Sequence, residues 1–356
     1  MVITQAPAVS MLIPVYGGEK LIGRTLDSLL AQSFTDFEAL CVDDHSPDRS
    51  AAIVKERAAG DPRIRYLRTP ANQGIVPKVI NSMRHEVRGR YFVYSSQDDF
   101  FSTDWLEKMV AAMEQRDADA VVPNLEFVES DGSTIRKLSG WDLYGDKVIS
   151  GREALLLSLD WTIPGNALWK TELLQQHGYF DFGLYADEFT ARYFFLKCRR
   201  VAFCDSTFYY SQGNPGAITT KVSAGRLDYP YNQFKVWELI HEHLPQSEQG
   251  PKFARTVVRD LFEALMMVAM HPEFENERRR LEQAIQAMKA PEFRNDLRRA
   301  FSAREKARRF AAFALLDSAI LRAVAPACVL PARRAQRLLQ SRSGEPGGNG
   351  PISSSR

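Results

Sequence analysis

VSMLIPVYGGEKLIGRTLDSLLAQSFTDFEALCVDDHS, residues 9–46, is the stretch on which the fold turns. Its first seven residues form an apolar run with no helical spacing, which reads as a strand buried on both faces. Tyr16-Gly-Gly-Glu-Lys20 then reads as a turn. From Glu19 to Ala31 the apolar residues Ile22, Leu26, Leu29 and Leu30 fall at i, i+4, i+7 and i+8, one face of a helix. A second buried strand follows, FEALCV, and it runs out into Asp43-Asp44. Strand, helix, strand in this spacing is the unit of a parallel α/β sheet.

The same alternation continues outward. DRSAAIVKERAAG predicts a helix with Gly60 as its C-terminal cap. RIRYL predicts a short strand, and NQGIVPKVINSMRHEVRG a loop and helix ending at Gly89. RYFVYS predicts a fourth strand, STDWLEKMVAAMEQRDAD a helix, AVVPNLEFV another strand, and ESDGST a hairpin turn. After residue 150 the pattern shifts. Ser150 and Glu153 fit a capping box, Thr171 to His177 a short helix stopped by Gly178, ADEFTARYFFLKCRR a longer helix, and VAFCDSTFYYS a strand. Beyond about residue 222 the chain reads as helical. The expected division is a sheet domain over 1–222, with halves of about 1–125 and 126–222, a helical region over 223–340, and a disordered tail over 341–356.

With 356 residues and a formal net charge of +2, nothing global argues for nucleic-acid binding, and none is expected. Cys41, Cys198, Cys204 and Cys328 include no CxxC pair and sit among apolar residues, as buried thiols of a reducing compartment do. The N-terminus lacks a basic region followed by an apolar one, so no signal peptide is expected, and a cytoplasmic location is. Between Phe301 and Arg342 there are nine basic and two acidic residues around a broken apolar stretch. Two readings stand for it: an interfacial helix at the inner face of the plasma membrane, or a helix packed on the protein with a solvated basic face.

Ligands of a parallel α/β sheet bind outside the carboxyl ends of its strands. Here the second strand ends in Asp43-Asp44 and the fourth in Ser96-Gln97-Asp98-Asp99. Either aspartate pair alone is accounted for by a turn or a helix cap. Two such pairs at neighbouring strand ends suit a divalent cation and a diphosphate better, because adjacent buried carboxylates need a counter-charge. His241 and His243, two apart on a helix, do not share a face and make no metal pair. His45 reads as a turn residue.

These features, in this order, resemble glycosyltransferase family 2: Pro14-Val15-Tyr16, the Leu-rich helix with SLLAQSF, VDD-x-S-x-D-x-S, NQGI, and SQDD. The resemblance runs over about residues 9–110 and more weakly from GYFDFGLYADEFTARYFF to FYYSQGNPGAIT. It implies the GT-A fold, a Rossmann-like, mostly parallel sheet with flanking helices, and inverting transfer of a sugar from a nucleotide-sugar to an acceptor hydroxyl. By the same resemblance Pro14, Val15, Tyr16, Asp43 and Asp44 contact the nucleotide. Ser96, Gln97 and Asp98 replace the family's Asp-x-Asp, with Ser96 standing for the first carboxylate. Asp98 and Asp99 are the expected metal ligands, for Mn2+ or Mg2+. Glu188 is the implied general base and Asp187 its rival, since the family's Glu-Asp is inverted here. The expected acceptor is a saccharide or glycolipid of the cell envelope or capsule. Of Trp161, Asn166 and Trp169 at the acceptor half, one tryptophan is expected in the core. Residues 211–221 resemble a lid, with Lys221 near a phosphate or in solvent. A nucleotidyltransferase, with Gly17, Gly18 and Lys20 as its phosphate loop, and a non-catalytic scaffold are the alternatives.

Overall fold

The structure, a computed structural model, describes residues 6–212, 214, 222–319 and 322. Nine strands form one sheet: β1 Val9–Val15, β2 Phe37–Asp43, β3 Ile64–Arg68, β4 Tyr91–Tyr94, β5 Phe100–Phe101, β6 Ala120–Val128, β7 Thr134–Leu138, β8 Leu168–Lys170 and β9 Val201–Ser211. Their spatial order is β3-β2-β1-β4-β8-β6-β9-β5, with β7 paired to β6. The first four strands are parallel. From there the sheet turns mixed: β8 is antiparallel to both β4 and β6, and β9 runs parallel to β6 but antiparallel to β5. The expected parallel sheet is thus the first half. The inserted β8 is only three residues long, too short to register in an apolar pattern.

The flanking helices are α1 Ile22–Leu30, α2 Ser50–Gly60, α3 Val76–Met83, α4 Trp105–Gln115, α5 Gly140–Tyr144, α6 Gly151–Leu159, α7 Thr171–His177 and α8 Ala186–Lys197. On α1, Ile22, Leu26 and Leu29 are fully buried, as their spacing requires. They join a core of β1, β2 and β4 residues (Met11, Ile13, Ala39, Val93) and Trp105 of α4.

Two helix boundaries differ from expectation. α1 starts at Ile22 rather than Glu19, because Gly17 takes a positive φ and residues 16–19 are tied into a turn of their own. Gly60 is the last residue of α2 rather than its cap; Asp61 caps it in an extended conformation. The hairpin after β6 is present, with Gly132 at φ 84°. Ser150 caps α6 by accepting the Glu153 amide.

The chain divides into two compact units. One holds the described residues up to Asp181 and those between Ala186 and Lys221; the other holds Phe182–Tyr185 and the described residues from Val222 onward. The second unit contains α9 Tyr229–His243, α10 Gln249–Met270, α11 Arg279–Ala287, α12 Pro291–Arg299 and α13 Lys306–Asp317, and no strand among its described residues. Inside it, Asp228 accepts from the Leu184 amide and from Arg280, which holds residues 182–185 to this unit. His241 stacks on Trp237 and pairs with Asp296, a packing role rather than a metal pair. Among the described residues no helix is long and apolar enough to cross a membrane. Residues 341–356, Lys221 and Cys328 lie outside the described residues; Cys41, Cys198 and Cys204 are buried free thiols.

Candidate active site

Parallel register brings the acidic strand ends together. Val15 is abreast of Asp43, and the Asp44 amide continues the ladder onto the Val15 carbonyl. Asp43 accepts from the Ser46 amide and the Tyr66 hydroxyl. Asp44 is spent inside the protein: Oδ1 takes the Thr69 hydroxyl and the Gln73 amide, and Oδ2 takes the Gly74 amide. Its carboxylate therefore shapes the 69–74 loop at the mouth of the sheet. His45, at φ 66°, accompanies it with Nε2 on the Thr69 carbonyl.

Tyr16, directly after β1, is 54% exposed, while Val15 before it is buried. Gln97 explains how it is held. The Gln97 side-chain amide donates to the Tyr16 carbonyl and accepts from the Tyr16 amide, both at 2.9 Å. A Cβ on Gly18 would lie 2.3 Å from Gln97 Oε1, so only glycine admits this clamp. The next amides are occupied too: Gly17 on Ser46, Gly18 on Ser50, Glu19 on Asp48. Four consecutive amides committed to protein cannot cradle a phosphate, which removes the physical basis for the phosphate-loop alternative.

The β4 end supplies two unlike carboxylates. Asp99 is 2% exposed, and its Oδ1 accepts from the Ser211 amide at the end of β9. Burial and the neighbouring Asp98 push its pKa well above the ordinary range. Asp98 is 8% exposed; Oδ2 accepts from Asn214 at 2.7 Å, and Oδ1 has no partner among the described residues. Ser96 is partly buried, and its hydroxyl has no partner among the described residues.

At the start of α8, the Asp187 carboxyl accepts from its own amide and that of Glu188. Removal from water, then the Glu188 charge, raise Asp187 to about 6. Glu188 instead pairs with Arg192 one turn on, at 3.3 Å. Arg192 is buried and also donates to the Ser158 carbonyl at the end of α6. Two tyrosines tie the elements into one site. The Tyr210 hydroxyl is pushed up by loss of water and then by Asp99, Asp98, Asp187 and Glu188. Tyr94 is likewise raised well above the usual range by loss of water, with Asp187 and Asp99 among its neighbours. Tyr210 thus lies in the field of four carboxylates, and Tyr94 in that of two of them, Asp187 and Asp99.

Residues 10–178 fit the model of glycosyl transferase family 2. Those residues, just under half of the chain, make up a family 2 glycosyltransferase domain. Glycosyltransferase GlyG of Streptococcus pneumoniae serotype 4 is 25% identical over 218 residues, which is 59% of this chain and 72% of GlyG. The succinoglycan biosynthesis protein ExoO of Rhizobium meliloti is 31% identical over 141 residues, 40% of each chain. Among solved structures, S. aureus TarS 1-349 in complex with UDP superposes with a TM-score of 0.58 over 86% of this chain and 87% of that one, at 17% identity. The fold is therefore GT-A.

Within the glycosyltransferase domain, sequence reasoning missed the roles of Tyr94, Tyr210, Asn214 and Arg192. They come from β4, β9, the segment after β9, and α8, and nothing local marks them. Trp169 packs on Phe194 and Phe195 in the core, whereas Trp161 is 37% exposed in a turn at φ 62°. One tryptophan of the pair is in the core, as expected. Asn166 lies part-buried between them.

No three His, Cys, Asp or Glu side chains cluster as a metal cage among the described residues. Mg2+ and Mn2+ do not need one; one or two carboxylates and phosphate oxygens suffice. Oδ1 of buried Asp98, unpartnered among the described residues, fits that requirement, and Asp99, drawn to the Ser211 amide, fits it less well.

Proposed function

We propose that this chain transfers a sugar from a nucleotide-sugar to a saccharide or glycolipid hydroxyl in envelope polysaccharide synthesis. The observation that carries the reading is the pair Asp98 and Asp187. One is a buried carboxylate with an oxygen unpartnered among the described residues, the other a carboxyl held near pKa 6, and both act on Tyr210. UDP in TarS and the succinoglycan role of ExoO support the donor and acceptor classes.

In this reading the base and ribose dock against Tyr16 and the β1–β2 edge, with Asp43 and Ser96 offering polar contacts. Pro14 and Val15 shape the floor, Gln97 fixes the Tyr16 backbone, and Asp44 holds the 69–74 loop. Asp98, with Asp99 behind it, would hold Mn2+ or Mg2+, which when bound neutralises charge on the diphosphate. Asp187 takes the proton of the acceptor hydroxyl as its oxygen attacks the anomeric carbon from the face opposite the diphosphate. A base with pKa near the working pH is both unprotonated and able to accept. Glu188 is restrained by Arg192, which supports Asp187 over Glu188 as the base.

The basic, partly exposed α13 supports peripheral contact with an anionic membrane. Lys306, Arg308 and Arg309 are exposed there, and Phe310 is 76% exposed.

The test is release of nucleoside diphosphate from a panel of nucleotide-sugars with Mn2+ and mixed saccharide acceptors. Wild type should turn over at least one donor, and Asp187→Asn should lose at least about a hundredfold in kcat. Loss in Glu188→Gln with full activity in Asp187→Asn would reverse the base assignment.

A further inference from the structure

Arg24 stands in the first turn of α1, facing the β4 end. Its Nη2 donates to the main-chain carbonyl of Asp98 at 2.9 Å and to the Ser211 hydroxyl at 3.1 Å. Its guanidinium carbon lies 4.3 Å over the Phe100 ring. The side chain is thus braced at one corner by neutral acceptors and on one face by an aromatic ring.

What it does not do is informative. A guanidinium beside two aspartates would ordinarily form a bidentate ion pair with one of them. Arg24 makes no ion pair with Asp98 or Asp99. Its field reaches Asp99, and its Nε and Nη1 have no partner among the described residues. The residue as a whole is exposed. Among the described residues both halves of a recognition site are left open: Oδ1 of Asp98, and the Nε and Nη1 edge of the Arg24 that donates to the Asp98 carbonyl.

We propose that Arg24 binds the diphosphate of the nucleotide donor, using its Nε and Nη1 edge on a phosphate oxygen next to the cation held by Asp98. This rests on the nucleotide-sugar reading above. A fixed planar donor fork suits phosphate oxygens, and its charge offsets the negative charge that develops on the departing diphosphate. Such an anion is the ligand that calls for a carboxylate-held cation and a guanidinium at once. Arg24 is then a leaving-group contact, and its brace on Asp98 and Ser211 keeps both contacts in register.

Calorimetric titration of the full chain with UDP, GDP, uridine and guanosine, each with Mn2+, separates this from a packing role. Wild type should bind one nucleoside diphosphate. Arg24→Gln should weaken that diphosphate about tenfold or more and leave the matching nucleoside unchanged, while Arg24→Lys, which keeps the charge but not the fork, should fall between. Equal losses for diphosphate and nucleoside would make Arg24 a structural brace and overturn the proposal, as would no loss in either. If Arg24→Gln does not fold, Arg24→Lys decides by the same comparison. Wild type that binds neither diphosphate would instead sink the donor reading itself, and the proposal with it.

Discussion

Asp187 and Glu188 are adjacent in sequence, yet their surroundings set them apart. Sequence alone left the two as rivals, because their difference lies in what approaches them: Arg192 on one, and loss of water near Tyr94 on the other. The raised Asp187 pKa has a signed consequence. In the unfolded chain the group titrates near its ordinary value of 3.8, and in the folded protein at about 6. Between those values the folded state binds more protons, so stability falls as pH rises through the window. Asp187→Asn should therefore stabilise the protein at pH 7.5, by about 1 kcal/mol or more, with the gain shrinking to nothing below pH 4 in denaturant melts. In wild type, kcat/KM should drop as pH falls below about 6, because a protonated base accepts nothing. A stabilisation equal at pH 4 and 7.5 would mean that the carboxyl is not held high. Ser96 belongs to this scale as well. Its identity is plain in the sequence, but that Asp98 beside it keeps Oδ1 without a partner among the described residues is visible only in space.

At the scale of elements, β1, α1 and β2 were legible because burial on both faces and a single helical stripe leave clear periodicities. The turn between β1 and α1 was not. Its geometry depends on Gln97, 79 residues after Gly18, and on Ser46, Asp48 and Ser50, so no local pattern encodes it. Gly18→Ala tests that account. The added methyl would meet Gln97 Oε1, which must move and release Tyr16, at a cost of about 1–3 kcal/mol in denaturant unfolding. Gly23→Ala, where nothing lies within 4 Å of the added carbon, is the matched control and should cost less than about 0.5 kcal/mol. β8 was missed for a related reason: three residues, antiparallel on both sides, carry no alternation to read.

A second element-scale feature lies at the opposite ends of the strands. Glu38 of β2 is buried; burial opposes its charge, but Arg88, Ser10 and Arg65 hold the carboxylate below its usual range. That stability is present above the unfolded carboxylate range and lost as pH falls through the lowered folded value. Glu38→Ala, which removes the carboxylate from half-exposed Arg88 and leaves Arg65 with Glu86 alone, should cost about 1–3 kcal/mol at pH 7. The penalty should shrink in melts at pH 3. A pH-independent loss would show that packing, not charge, is what Glu38 contributes.

Across the whole molecule, the change of pattern near residue 222 and the helical character beyond it were readable in composition. The exchange of residues 182–185 into the helical unit was not, because it rests on Asp228 reaching back 44 residues to the Leu184 amide. The proposed membrane contact belongs to this scale. With Arg308, Arg309 and Phe310 exposed on α13, Arg308→Glu, Arg309→Glu and Phe310→Ser together should reduce cosedimentation with phosphatidylserine vesicles several-fold without lowering the melting temperature. Unchanged cosedimentation would leave α13 as a solvated helix.

The central claim is that Asp98 completes a cation-dependent site for a nucleotide-sugar. Thermal melting of wild type and Asp98→Ala with UDP- and GDP-sugars, with Mn2+ and with Mn2+ plus chelator, addresses it most directly. The account predicts that one donor raises the wild-type melting temperature with Mn2+, that chelation removes the rise, and that Asp98→Ala shows none. An equal rise in Asp98→Ala, or one that survives chelation, would contradict it.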